Sequence, residues 1–248
     1  MQVQKDNKIG EIVAANFRAA QIFESFGLDF CCGGKKSISD ACKEKELNPE
    51  KVISELSKID EKQANLQRFE KWEADFLIDY IINNHHQYVV YSIPAIENHL
   101  QKLASKHGEK HHELVEIQEI FSALKDELLN HMQKEEKMLF PYIKKLKLAV
   151  DNSHAIPLAP FGAVENPLRV LESEHESAGK MMSDINKLSS GYKPPEDACG
   201  TYRVLYNELN EFENDLHMHI HLENNILFPK ALELESKLAM IHSGAVNA

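Results

Sequence analysis

The chain has 248 residues, 43% of them apolar and 27% charged, with 28 Lys and Arg against 39 Asp and Glu for a net charge of -11. This length and balance supply a full hydrophobic core and suit one main domain with a smaller one attached. With no basic stripe a nucleic-acid partner is excluded, and with no run approaching about 18 apolar residues so is a membrane-spanning helix.

The start, MQVQKDNKIGE, lacks the apolar core of a secretory signal, so a cytoplasmic location is expected. Four cysteines, Cys31, Cys32, Cys42 and Cys199, have neither the density nor the spacing of a disulfide framework, which fits a reducing compartment.

Residues 1–62 read as a small helical domain. Helical apolar spacing covers Ile9 to Ala15 and Arg18 to Phe26, with Gly27 as the residue that stops the second helix. The glycine-rich turn LDFCCGGKK follows. Ser37 with Asp40 resembles a capping box, and Asn48-Pro49 places a cap before a helix-starting proline. This portion has too few apolar residues for a large core, so it is expected to dock on the rest of the chain or on a second subunit.

From Trp72 four long helical patterns follow, over about 72–106, 110–147, 165–189 and 197–240, broken at Gly108, at DNSHAIPLAPFG and at SSGYKPPEDACG. Pro94 falls inside the first and should kink it or end its first part. No segment alternates with period two. The expected fold is all-α: a four-helix up-down bundle over residues 72–240, with the small N-terminal helical domain.

Two stretches in these helices repeat a pattern, HMQKEEKMLFP from His131 and HIHLENNILFP from His219. Each reads His, three residues, Glu, then an apolar run closed by Leu-Phe-Pro. Residues four apart on a helix lie about 40° from one another, so each stretch aims an imidazole and a carboxylate at one point. His131 is in phase with Phe121, Leu124, Leu128, Met138, Leu139 and Tyr142. His219 is in phase with Leu205, Leu209, Phe212, Leu216, Ile226 and Leu227. Both pairs should face a core, where a carboxylate must be compensated by charge.

The lone histidines complete a duplication. His86 to His175 spans 89 residues, and His131 to His219 spans 88. His85 and His86 both have Ile neighbours one turn back, and the repeat spacing favours His86. Four imidazoles and two carboxylates, His86, His131, Glu135, His175, His219 and Glu223, would then converge as ligands of two ions. This is not the Glu-x-x-His unit of ferritin-like bundles. A thiolate-free set suits iron, manganese or zinc, and iron suits redox chemistry best.

The remaining histidines read as bland. His217 and His221 lie well around the helix from His219 and should face solvent. His107, His111 and His112 flank a loop, and His154 sits in a proline-rich connector. Glu172 and Glu174 beside His175 read either as hydrogen-bond partners of a ligand or as a solvated face. The vicinal thiols Cys31 and Cys32 admit a redox or metal-handling role, or two ordinary reduced cysteines. Cys42 and Cys199 read as incidental.

Together LDFCCGGKKSI, NHMQKEEKMLFP, ESEHESAG and LENNILFP resemble the iron-sulfur cluster repair family of di-iron proteins, also called repair of iron centres, whose main domain is hemerythrin-like. The resemblance covers nearly the whole chain. It implies a cytoplasmic stress factor acting on clusters damaged by nitric oxide or peroxide. Its cofactor would be two non-haem iron ions, with His86, His131, His175 and His219 as terminal ligands, Glu135 and Glu223 as bridges and an oxo-type bridge besides. It also implies damaged iron-sulfur proteins as partners, NO or O2 as small ligands, and it allows a homodimer. Hemerythrin has one more histidine than can be assigned here, which leaves a more open site.

Two rival functions follow from the same ligands: reversible dioxygen binding or sensing, and reduction of nitric oxide to nitrous oxide. The second would need an outside electron donor, because no flavin or nicotinamide motif is present.

Overall fold

The computed structural model describes residues 3–59, 68–152 and 159–242. Among these the chain is all-α, its only bridge of strand type being an isolated antiparallel pair between Lys8 and Ser37. His154 and most of the polar connector after Ile59 lie outside the described residues.

Four short helices come first: α1 (Ile9–Ala15), α2 (Ala19–Ser25), α3 (Ile38–Glu44) and α4 (Pro49–Leu56). Their ends follow the local chemistry. Gly27, with φ of 65°, takes the left-handed conformation just past α2. The Ser37 hydroxyl accepts from the Asp40 amide at 3.1 Å and donates to the Asp40 carboxylate at 2.7 Å. The Asn48 side chain accepts from the Glu50 amide at 2.8 Å, ahead of Pro49.

The long patterns become α5 (Ala74–Tyr80) with α6 (Gln87–His107), α7 (Glu113–Lys134) with α8 (Phe140–Asp151), α9 (Glu165–Leu188), and α10 (Gly200–Leu222) with α11 (Phe228–His242). Three of the four are interrupted, not by loops, but by wide π turns at Ile81–His86, Glu135–Leu139 and Glu223–Leu227. Pro94 does not end its helix, since α6 runs through it. Burial of Val89, Ile93, Ile96 and Leu100 on one face of α6 holds the helix across the backbone bond that the proline cannot make.

Two compact units divide the chain. One comprises Asp79–Pro141 and Arg169–His217. Its core is the apolar stripe of α6, α7, α9 and α10, including Leu100, Ile117, Phe121, Leu124, Met182, Ile185, Leu209 and Phe212, all buried. Polar pairs tie its helices together: His99 Nδ1 to Glu208 at 2.7 Å, Lys125 to Glu97 at 2.8 Å, and the Tyr202 hydroxyl to Glu113 at 2.8 Å.

The other unit comprises Met1–Ile78, Tyr142–Leu168 and Met218–Ala248. Here α1 packs against the π turn Glu223–Leu227 and against the single turn Phe69–Lys71. The short helices bury Ile9, Ile12, Phe23, Ile38 and Val52 by packing on one another, α2 and α3 against α4, and through the docking of α1.

Candidate metal centre

The Leu-Phe-Pro endings have a backbone role that the spacing does not announce. In the second π turn the Phe140 amide donates to the Glu135 carbonyl, and in the third the Phe228 amide donates to the Glu223 carbonyl, five residues back instead of four. Pro141 and Pro229 come next. A proline has no N–H with which to restore the four-residue ladder, so the wide turn forfeits no bond there. The sequence signal is a proline six residues after the Glu, inside an otherwise unbroken helix.

The inserted residue also shifts the helical phase. Phe121, Leu124, Leu128, Leu139 and Tyr142 are buried with His131 as expected, but Met138 is 49% exposed. It sits within the wide turn, where a period of 3.6 no longer holds.

In the first unit four of the expected donors come together. His86 closes the first π turn, His131 lies near the end of α7, Glu135 opens the second π turn and His175 is midway along α9. All are buried, and Glu135 is 0% exposed. One Glu135 oxygen lies 3.4 Å from His86 Nε2 and the other 3.4 Å from His131 Nε2. The carboxylate thus spans two imidazoles. His131 Nε2 is also 2.9 Å from His175 Nε2.

The opposite ring nitrogens are fixed by carboxylates. His86 Nδ1 pairs with Glu136 at 2.7 Å, and its ring stacks on Phe140. His131 Nδ1 pairs with Glu174 at 2.9 Å, and Glu174 in turn accepts from Lys134. Partial burial acts to raise the Glu174 pKa, but the Lys134 and His131 hydrogen bonds outweigh it and hold the group below the usual carboxylate range. An ionised carboxylate accepts a hydrogen bond from Nδ1–H, which leaves Nε2 with its lone pair and aims it at the cluster. Glu174 therefore serves His131, not its sequence neighbour His175. Glu136 was not singled out by the sequence reading, and the Glu-Glu doublet was its only signal.

The His85-His86 doublet divides its tasks. His85 is buried too, but its Nδ1 pairs with Asp215 at 2.9 Å and its ring meets Tyr80 edge-on, so its bonding is to a different carboxylate.

In the second unit His219 Nε2 lies 3.1 Å from Glu223 Oε1, and both residues are buried, Glu223 at 0% exposure. Beside them the expectation of a surface His221 fails. The residue is 0% exposed, because the N-terminal segment covers the helix face away from His219. Its ring tilts against Phe30, with centroids 5.6 Å apart. Burial lowers the His221 pKa to about 4, against a smaller opposing effect of the Phe30 backbone, so the ring is neutral at physiological pH. His217 is half-buried.

Asn225 locks this contact. Its amide donates to the carbonyls of Phe30 at 3.3 Å and Cys31 at 3.0 Å, and lies 3.2 Å from His221 Nδ1. Its oxygen enters a notch between two glycines, where a Cβ on either Gly10 or Gly34 would stand 2.3 Å from it.

All four cysteines are free thiols, and the Cys31 thiol donates a long hydrogen bond to the Cys32 sulfur. Cys31 is buried, Cys32 half-buried, Cys42 buried and Cys199 exposed. His111 pairs with Glu113 and Asp197 at the far end of α7, a structural arrangement.

Comparison with known proteins gives these donors a context. Residues 77–231 match the hemerythrin HHE cation binding domain, and residues 5–60 match a domain of unknown function, DUF542. The iron-sulfur cluster repair protein YtfE of Pectobacterium atrosepticum is 36% identical over 231 residues, 93% of this chain and 99% of its own. The iron-sulfur cluster repair protein ScdA of Staphylococcus haemolyticus is 30% identical over 228 residues, 92% and 99% of the two chains. YtfE of Escherichia coli O8 is 35% identical over 232 residues, 92% and 97%.

The chain belongs to the hemerythrin-like iron-sulfur cluster repair family. The two matches fall on either side of residues 61–76. In this member of the family the residues present suit a bound metal: buried imidazoles, two of them (His86 and His131) donating Nδ1–H to carboxylates, and fully buried carboxylates whose charge a cation would compensate. Among the described residues no helix is long and apolar enough to cross a membrane.

Proposed function

We propose that this chain is a cytoplasmic non-haem di-iron protein that supports repair of iron-sulfur clusters damaged by oxidative and nitrosative stress. The observation that carries the reading is Glu135, wholly buried, with each oxygen against a different histidine. In this reading His86, His131, His175 and His219 would be terminal ligands of the two ions, and Glu135 and Glu223 would bridge them.

Iron is the choice because imidazole and carboxylate without thiolate suit it, and because the named relatives are iron-sulfur cluster repair proteins. Bound there, iron supplies redox chemistry and coordination that can be exchanged. The chain's own contribution is to hold the imidazoles in one tautomer through Glu136 and Glu174, and to keep water from the buried carboxylates. Damaged iron-sulfur proteins are the partners, and NO or O2 the small ligands. Iron delivery to a client and nitric oxide chemistry at the site are the two routes, with Cys31 and Cys32 as candidate thiols.

Anaerobic Fe(II) addition to the metal-free chain should give about two bound irons, and Glu135→Gln with Glu223→Gln should abolish most of that binding. Unchanged iron content in the double variant would refute the ligand assignment. Labelled iron should then pass to an apo iron-sulfur protein. An air-dependent adduct reversed under vacuum, with no transfer, would instead favour dioxygen binding or sensing.

A further inference from the structure

We propose that Asp29, Cys31 and Cys32 form a second cation site, separate from the histidine and carboxylate donors, that takes a thiophilic divalent ion such as Fe(II) or Zn(II). The three residues offer one ligand atom each in a single cluster. The two sulfurs are 4.0 Å apart. A disulfide needs about 2.05 Å, whereas two thiolates on one tetrahedral ion, with bonds of about 2.3 Å, stand about 3.8 Å from each other. The loop therefore holds the thiols at the spacing of a shared ion and well beyond that of a bond.

The third donor is set in advance. Asp29 Oδ1 accepts from the Cys31 amide at 2.9 Å and the Cys32 amide at 3.0 Å, which wraps the loop around the carboxylate. It also accepts from the Cys31 thiol at 3.2 Å. That S–H proton lies where a cation would lie, between sulfur and oxygen. Binding of a divalent ion expels one proton each from Cys31 and Cys32 to solvent, and no electron moves. The Cys32 hydrogen bond, burial and the Asp29 charge, in that order, raise the Cys31 pKa, and a bound cation would act in the opposite direction by favouring the thiolate.

The backbone of the loop is also rigid. The Phe30 and Cys31 carbonyls are tied to Asn225, two residues beyond Glu223; Gly34 lets the chain close around that amide, and at Gly33 a Cβ would stand 2.7 Å from the Asp29 carbonyl oxygen. Order of this kind lowers the entropic cost of gathering three donors. Cys31 is buried while Cys32 is half-buried and Asp29 exposed, so the ion is reachable from solvent, and three donors leave a coordination position for an incoming thiolate. On the di-iron reading above, on which this last step rests, the cradle is where iron is exchanged with a client's cysteines.

The test is anaerobic titration of the reduced full chain with Co(II), whose near-ultraviolet thiolate charge-transfer band arises from sulfur ligands alone. The band should appear and saturate at about one Co(II) per chain. Cys31→Ser with Cys32→Ser should remove it. If that variant does not fold, Cys32→Ser alone should cut the band by about half. Asp29→Asn keeps the acceptor for both amides and removes the charge, so the band should persist but require about 10-fold more Co(II). Glu135→Gln with Glu223→Gln should leave the band intact, which separates this site from the di-iron reading. Absence of the band in the wild type, or an undiminished band in the cysteine variants, overturns the proposal.

Discussion

Replacing Gly10 with alanine sets two effects of opposite sign against each other, and the structure says which wins. Gly10 lies in α1 with no positive φ, so alanine should favour the helix by about 0.5–1 kcal/mol. But its Cβ would stand 2.3 Å from Asn225 Oδ1, 2.7 Å from Asn225 Cγ and 3.1 Å from the Gly34 Cα. The amide cannot swing aside without releasing the Phe30 and Cys31 carbonyls. Overpacking of this kind costs about 1–3 kcal/mol, so the net expectation for Gly10→Ala is a loss of up to about 2.5 kcal/mol.

Asn225→Ala by itself should cost about 1–3 kcal/mol through its lost hydrogen bonds. In that background the clash is gone, and Gly10→Ala should be neutral or stabilising, giving a coupling of about 1 kcal/mol or more. Urea unfolding of the four metal-free proteins measures this. Trp72, the only tryptophan, sits between Phe69 and Phe76 in the same unit as Gly10 and Asn225 and reports on that unit. Equal stability of Gly10→Ala and wild type, or the same cost in both backgrounds, would refute the notch as the reason for the glycine.

Three further outcomes follow from the geometry. Glu174→Gln removes the charged acceptor of the His131 Nδ1 proton and should weaken metal affinity about 10–100-fold, read by competition with a chelator, without unfolding the chain. Pro141→Ala restores an N–H after the wide turn, so the metal-free chain should gain up to about 3 kcal/mol in helix stability while binding metal more weakly, since the four-residue ladder then competes with the π turn. Asp197, hydrogen-bonded first by Lys110 and then by His111, has its pKa lowered to about 2. Its stabilising contribution is present above the unfolded value near 3.8 and lost as pH falls toward 2, so Asp197→Asn should lower the melting temperature at pH 6, and the gap should close with acid.

Much of the buried cluster was legible in the sequence, because burial follows helical phase. His131 with Glu135 and His219 with Glu223 lie on stripes of Phe121, Leu124 and Leu128, and of Leu209, Phe212 and Leu216, and these stripes are buried as their period requires. The caps at Ser37 and Asn48 were legible for the same reason: each is decided within three residues. Met138 was misplaced because a uniform period cannot register one inserted residue. His221 was misplaced because its phase says only that it avoids the His219 face, and not that another segment waits on its own side.

Local spacing by itself determined the helices and which histidines and carboxylates share a buried helix face, since these depend on residues within a turn or two of each other. Tertiary structure alone decided that Glu136 holds His86, that Glu174 holds His131, and that Asn225 clasps the thiol loop from a point 194 residues along the chain from Cys31. Those pairings are made across segments whose relative placement comes from the packing of whole apolar faces, and no short stretch of sequence encodes it.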